Sequence, residues 1–473
     1  MEPGLSARTG WGIAILVITG VILLQLPHLA LPYYWDEAWS YGPAVCKMVE
    51  HGPSLLPGSI DAVQSRGHPL LFYFLAACWL HVFPDNLFFS HVFALVVSVL
   101  FLLVFYGFAK KIFGTDIALA SLIILSVQGL FLSHASLLLP EILLGLLTLL
   151  ACCFYFSGKK ALFSICAACL LLCKETGIAL VAAIFLLEVY NHIVGRKPIK
   201  ELINRTLSLF GLTLIAMVVF YSIQKRQFGW FLFPGHVQLI SFSPSVVWGT
   251  ITSYGAYLFL YLGHNILTLA MIAPMIIWFI RPTGDTGTGK ILVLFLLFAI
   301  LYLLVLGINF YTTRYILCLL PFYILTAVYF IFSSFKRFRK IVWAGFVVFA
   351  GVTLFYSYTP NRKGNAIAYM DDIRVQKQAV GYLEKMDLFN KPIATHFLMK
   401  VNLTDPVPGY LSSERKFSRV QDAIDSTTEY VVLSSQEENP VIKEKVEENK
   451  RLPEAVFRVG KSWCSIYKLK TRP

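Results

Sequence analysis

Charge is what this sequence has least of, and acid least of all. Only 14% of its 473 residues are charged while 57% are hydrophobic, against about 25% charged residues in an ordinary soluble domain. That balance excludes a soluble globular protein and marks a polytopic membrane protein. Residues 1–360 hold just 12 of the 27 Asp and Glu. The nine cysteines have no metal-ligand spacing. Cys166, Cys169 and Cys173 share one helix face and read as small packing residues. Cys46 and Cys464 are expected outside the membrane, but nothing in their spacing calls for a disulfide. No long repeat, low-complexity tract or Gly-rich phosphate loop is present. The stretch from Thr283 to Lys290 lacks the phosphate-loop spacing because Ile291 follows the lysine, so it reads as a linker.

What the chain does have is apolar runs, at residues 11–31, 86–109, 116–133, 137–156, 161–173, 176–193, 207–223, 265–280, 290–308, 313–333 and 341–357. Several approach the roughly 20 residues that span a bilayer core of about 30 Å. Residues 69–84 are shorter and aromatic, which suits a helix lying in the interface. Residues 245–262 fit either a span or the interface. The net charge of +13 falls in clusters between runs: Lys110-Lys111, Lys159-Lys160, Arg196 to Arg205, and Lys336 to Lys340. This is the positive-inside pattern and gives no reason to expect nucleic acid as a partner. It implies about eleven spans, a cytoplasmic N-terminus and an external C-terminus. The first run is long and has no small-residue cleavage site before Tyr33, so it is an anchor rather than a signal peptide.

Composition changes near Pro360. Residues 361–473 contain 19 Lys and Arg and 15 Asp and Glu, with no spanning run. A small external α/β domain is expected there. Its predicted parts are a helix over 373–388 and strands at 392–397 and 430–433. A hairpin across Gly460-Lys461 and a charged helix or loop over 439–450 complete it. Asn204-Arg205-Thr206 and Asn402-Leu403-Thr404 match the glycosylation tripeptide, a pattern common by chance.

Two adjacent acids, Asp36 and Glu37, follow the first span inside Tyr33-Tyr34-Trp35-Asp36-Glu37-Ala38-Trp39-Ser40-Tyr41. Neighbouring carboxylates at a bilayer surface repel and are costly to desolvate, so stability does not explain them. The orientation argument gathers further polar residues on the same face. These are Arg66 and His68 at the end of the first loop (32–85), Glu141 at the head of a span, and Lys174-Glu175 between two spans. Lys225, Arg226, His236 and His264 lie in or near a later loop, and Arg314 opens another span. Each has a plain reading: Arg314 snorkels to headgroups, Lys174 and Glu175 pair on a turn, and His236 and His264 are structural. Their convergence beside an aromatic loop suits transfer of a sugar from a lipid phosphate. Cations would hold the phosphate and stabilise it as a leaving group. A carboxylate would take the proton of an acceptor hydroxyl. Tyr34, Trp35, Trp39 and Tyr41 would stack on sugar faces. A second acid would hold a divalent metal or sugar hydroxyls.

Several segments resemble one family. Asp36-Glu37-Ala38 after the first span is similar to the acidic signature of the C-type multi-spanning glycosyltransferases. Within them it is closest to the group of protein O-mannosyltransferases and the lipid A aminoarabinose transferase. His68-Pro69-Leu70-Leu71-Phe72-Tyr73 resembles their Lys/His-Pro-Pro-Leu-Tyr-Tyr segment, with Leu70 in place of the second proline. Leu172-Cys173-Lys174-Glu175-Thr176-Gly177 resembles their Leu-x-Lys-x-x-Gly turn. Thr313-Arg314-Tyr315-Ile316-Leu317 followed by Pro321 resembles their Arg-Tyr-Leu-x-x-x-x-Pro span. The likeness covers most of residues 10–335.

The resemblance implies a C-type fold with about 11–13 membrane helices over 1–360. It implies transfer from a polyprenyl or dolichyl phosphate sugar to a hydroxyl of a lipid, glycan or protein, on the external face and with inversion. Asp36 would be the base and Glu37 its companion. Arg66, His68, Lys174 and Arg314 would bind donor phosphate. Glu141 stands where the family usually has Asp and would hold Mg or Mn, or the sugar. A bacterial inner or plasma membrane would be the site of action. Two other readings of the acids stay open, an ion-coupled secondary transporter and a non-catalytic membrane assembly protein.

Overall fold

The computed structural model describes residues 5–261, 263–280, 286–358, 367–437, 439–448 and 451–469. Residues 281–285, which include the first part of the stretch read as a linker, fall outside this set, while Thr286 to Lys290 of that stretch begin the helix Thr286–Gly307 instead. The chain forms a helical membrane bundle with a small domain at its C-terminal end. Six described helices are long and apolar enough to span: Ala7–His28, Leu87–Phe113, Glu175–Val194, Ile199–Phe228, Gly287–Gly307 and Lys336–Ser357. Pro244–Leu260 and His264–Ile280 form one bent pair. Five shorter apolar helices fill the bundle: Leu71–Val82, Thr115–Ser126, Glu141–Phe156, Lys160–Cys173 and Leu320–Ser334.

Because apolar packing gives no directional cue, polar groups set where these helices start and stop. Asn86 caps Leu87–Phe113 by accepting the Phe89 N–H at 3.0 Å, which satisfies one of the orphan donors of a helix start. Asp61 likewise accepts the Val63 and Gln64 N–H groups at 2.9 and 2.8 Å. Among the described acids before residue 360, all but Asp61 and Asp85 sit against a Lys, Arg or His. For most of these acids, then, a basic partner offsets the cost of desolvation.

The apolar run that begins at residue 137 is irregular over 137–140, and its helix starts at Glu141, the expected head of the span. Gln25 donates to the Leu132 carbonyl, Ser136 donates to Gln25 Oε1, and Ser98 donates to the Ala135 carbonyl, at 2.9, 2.9 and 2.7 Å. These side chains replace the missing helical bonds and fix the stretch that leads to Glu141.

In the C-terminal domain, β1 (Ile393–Ala394), β2 (Val420–Gln421), β3 (Tyr430–Ser434), β4 (Ala455–Val459) and β5 (Ser462–Lys468) form one mixed sheet of order β2-β1-β3-β5-β4. β1 is parallel to β2 and β3, while β5 is antiparallel to β3 and β4. The expected hairpin turns at Gly460, whose φ of +57° suits glycine. Helices Tyr369–Lys385 and Pro440–Glu448 match the patterned segments, and Phe397–Thr404 is an additional helix. Asn402 lies in that helix, is 0% exposed and donates to Gln376 at 2.6 Å, so it is not an accessible glycosylation acceptor. Ser434 Oγ lies 2.8 Å from His396 Nε2, and Glu437 lies 2.9 Å from His396 Nδ1. Ser434 and His396 are 1% and 2% exposed, so this Ser-His-Glu series is a core network without access for a substrate. Cys46 and Cys464 are both free thiols.

The domain rests directly on the first loop. Tyr33 N–H donates to the Pro408 carbonyl at 2.9 Å, His28 pairs with Tyr369 Oη at 2.7 Å, and Trp39 packs edge-on against Phe397. The loop carrying Asp36 is thereby held between the bundle and the helices and loop that cover this side of the C-terminal domain.

Candidate active site

Four segments distant in sequence bring their charged groups together at one end of the bundle. Asp36 lies at the turn before a π-helical stretch, Glu37–Tyr41. Glu141 is the first residue of its helix, behind Pro140. Lys174 follows the Lys160–Cys173 helix in extended backbone, and Arg314 lies in a 3-10 turn over Thr313–Cys318. Arg314 bridges two acids: Nη1 pairs with Asp36, and Nε donates to Glu141 Oε1 at 2.9 Å. Lys174 Nζ donates to the same Glu141 oxygen at 2.7 Å. The aromatic floor is Tyr315, with Lys174 Nζ 4.0 Å and the Arg314 guanidinium carbon 5.3 Å from its ring centre. Snorkelling is therefore not what Arg314 does, because its side chain is 12% exposed and holds two carboxylates.

Asp36 is fixed at both oxygens. Oδ1 accepts the Trp39 indole N–H at 2.9 Å and Oδ2 meets Arg314. The other face of Trp39 carries Arg66, whose guanidinium carbon lies 3.6 Å from the ring centre. Arg66 sits at φ +51° and closes the short Ala62–Ser65 helix. Gly67 follows at φ +69°, and a Cβ there would come within 2.8 Å of Trp230 and 2.9 Å of Phe233. Glycine is required for the 229–242 loop to lie over this corner.

The remaining expected groups fall into different roles. Glu37 is turned away from the cluster and is 0% exposed. It accepts from Leu138 N–H at 2.5 Å and Tyr34 N–H at 3.0 Å, and pairs with His91 Nε2 at 3.0 Å. All its contacts are internal, so it ties the Asp36 turn to the segment that launches Glu141. A tie of this kind is expected to act on stability. Glu37→Ala should remove about 3–5 kcal/mol, read as a fallen unfolding midpoint of the detergent-solubilised protein. An unchanged midpoint would return Glu37 to the reacting centre.

His68 is held by Glu175 at 3.2 Å, with the His236 ring centre 4.7 Å away. Burial, then His68, push the His236 imidazole down to about 4, leaving it neutral near pH 7. Lys174 and Glu175 do not pair with each other: extended backbone at Lys174 sends the two side chains to Glu141 and His68.

Of the expected stacking aromatics, Tyr34 and Tyr41 are 8% and 5% exposed. They pack on Tyr369 and Tyr73 rather than facing a ligand. Trp39 has one face under Arg66, while Trp35, at φ +50°, is 40% exposed. His264 is structural, bonded to Gln128 at 3.0 Å. His91 carries no signal in the sequence, since a lone histidine in an apolar helix has no distinguishing pattern, and Tyr315 stands in the Arg-Tyr-Leu segment without a role that the motif assigns to it.

Glu141 has one oxygen open to a divalent ion, its Oε2, which is buried without a hydrogen-bond partner. Its Oε1 already receives Lys174 and Arg314, and no group of three or more His, Cys, Asp or Glu suited to a metal occurs among the described residues. Mg or Mn needs a shell of oxygens without two cations inside it.

A family model described as dolichyl-phosphate-mannose-protein mannosyltransferase matches residues 67–222, a third of the chain that includes His68, Glu141 and Lys174. No curated protein matches the sequence. The crystal structure of ArnT from Cupriavidus metallidurans bound to undecaprenyl phosphate is similar at 12% identity over 98% of each chain, with a TM-score of 0.59. Its apo state gives 14% identity, 98% of this chain, 99% of the other and a TM-score of 0.56. With the family segment lying inside this shared architecture, the fold is that of a multi-spanning C-type membrane glycosyltransferase.

Proposed function

We propose that the protein moves a sugar from a polyprenyl or dolichyl phosphate carrier to a hydroxyl acceptor, on the side of the membrane where Asp36 lies, with inversion. The observation that carries this reading is the Asp36–Arg314–Glu141–Lys174 series. Two cations stand there beside a carboxylate whose own position is fixed by an indole N–H. The ArnT structure with undecaprenyl phosphate supports the carrier class, and the match to mannosyltransferases supports sugar transfer.

In this reading the donor phosphate enters as a third anion and competes with Asp36 for Arg314. Displacement frees a carboxylate oxygen next to the anomeric carbon. The acceptor oxygen attacks that carbon from the side opposite the phosphate. The carbon–oxygen bond to phosphate breaks and its electron pair leaves with the lipid phosphate, stabilised by Arg314 and Lys174. The acceptor proton passes to Asp36. Arg66 maintains the site through Trp39, and the C-terminal domain frames the acceptor side through Phe397. The positive-inside distribution supports an external location for this end.

The test is reconstitution in liposomes with radiolabelled polyprenyl-phosphate sugars, following release of polyprenyl phosphate and label transfer to hydroxyl acceptors. Carrier release that depends on the protein is the expected result. Ion-driven uptake with no carrier release would favour the transporter reading instead.

A further inference from the structure

At the other end of the bundle from Asp36 lies a cavity of about 910 Å³. The Leu87–Phe113 helix separates the two: its N-terminal turn carries His91, the partner of Glu37, and its last residue, Phe113, lines the cavity. At 27 residues it is about 40 Å long. Around the cavity stand Lys336, Arg337, Arg339 and Lys340, above walls that include Phe332 and Phe338. One acid, Asp116, shares the lining, and it is held by Arg339 at 2.7 Å. Lys336 and Arg337 are exposed and hold no acid among the described residues.

The positive-inside rule explains cations between spans. It does not explain why four of them face a concave, apolar-walled space. Nor does it explain a second cavity of about 480 Å³ that shares Arg339 and Lys340 and is otherwise lined by Leu5, Ile13, Leu119, Ile123 and Trp343. A cationic cavity adjoined by an apolar trough matches a molecule with a phosphate head and a hydrocarbon tail.

We propose that this pair of cavities binds an anionic phospholipid, its phosphate among Lys336, Arg337, Arg339 and Lys340 and an acyl chain along Trp343. The occupant is a resident lipid of the leaflet opposite the Asp36 site and not the sugar donor. A free phosphate would account for the first cavity and leave the second without purpose.

The protein would be purified in mild detergent and incubated with phosphatidylglycerol, phosphatidylcholine or inorganic phosphate. Bound lipid is then counted by native mass spectrometry, and the unfolding midpoint is recorded. Phosphatidylglycerol should bind and raise the midpoint, and phosphatidylcholine should not. Lys336→Gln/Arg337→Gln, which leaves the Arg339–Asp116 pair intact, should weaken phosphatidylglycerol binding about tenfold or more. Lys159→Gln/Lys160→Gln, at a cluster outside these cavities, should leave it unchanged. Equal binding of phosphatidylcholine, or equal loss in both double variants, would overturn the site. A midpoint rise with inorganic phosphate matching that with lipid would overturn the assignment to a lipid.

Discussion

Asp36→Asn should cut the turnover of sugar transfer by about 10²- to 10⁴-fold, the usual range for loss of a general base, while the protein stays folded. The amide keeps the size of the carboxylate, and its oxygen can still accept the Trp39 N–H that now meets Oδ1. What disappears is the charge that would receive a proton and that engages Arg314. Donor affinity should therefore hold or rise, because phosphate no longer competes with a carboxylate for the guanidinium. The split between turnover and donor binding sets a reacting group apart from a merely structural one. A purified variant that loses less than about threefold, under 1 kcal/mol of barrier, would remove Asp36 from the role of base.

Which of the adjacent acids faces the cluster was not legible in composition or spacing; the family resemblance set Asp36 apart as the base. Successive residues on a helical turn point in different directions, so one of the two had to face inward. Which one depends on His91 and on the Leu138 N–H, groups about 55 and 100 residues away that no local pattern connects to it. The same limit hid the fate of Lys174 and Glu175, which an extended residue sends to separate partners.

Aromatic content alone could not tell Tyr34 and Tyr41, which fill the packing, from Trp39, which touches Asp36. Burial gain and sugar stacking favour the same residue types. What the pattern did carry was the apolar helices of the bundle, the continuous apolar run that marks β3, and the turn glycine of the β4–β5 hairpin. It carried these because hydrophobic period and turn glycines act locally. How the irregular run before Glu141 is held depends on side chains from other segments, which no local pattern connects to it.

Arg314→Ala should weaken donor binding about 10- to 100-fold, the loss expected when a charge-assisted contact of about 1.5–3 kcal/mol is removed, and should lower turnover as well. Lys174, itself paired with Glu141, would then be the one cation of the pair left to meet the negative charge that grows on the phosphate. Arg314→Lys should recover only part of the loss. A guanidinium offers separate N–H groups to Asp36 and Glu141, whereas an ammonium is one compact charge on a flexible stem. Equilibrium binding of a polyprenyl phosphate to the detergent-solubilised variants measures the first effect, and carrier release in liposomes measures the second. The double variant Asp36→Asn/Arg314→Ala adds a further check. If phosphate and Asp36 compete for Arg314, the affinity gained by removing the carboxylate should vanish once the guanidinium is gone. Unchanged donor affinity in Arg314→Ala would mean that Arg314 serves only to hold Asp36 and Glu141 in place, and the phosphate contact would have to come from Lys174 and Arg66.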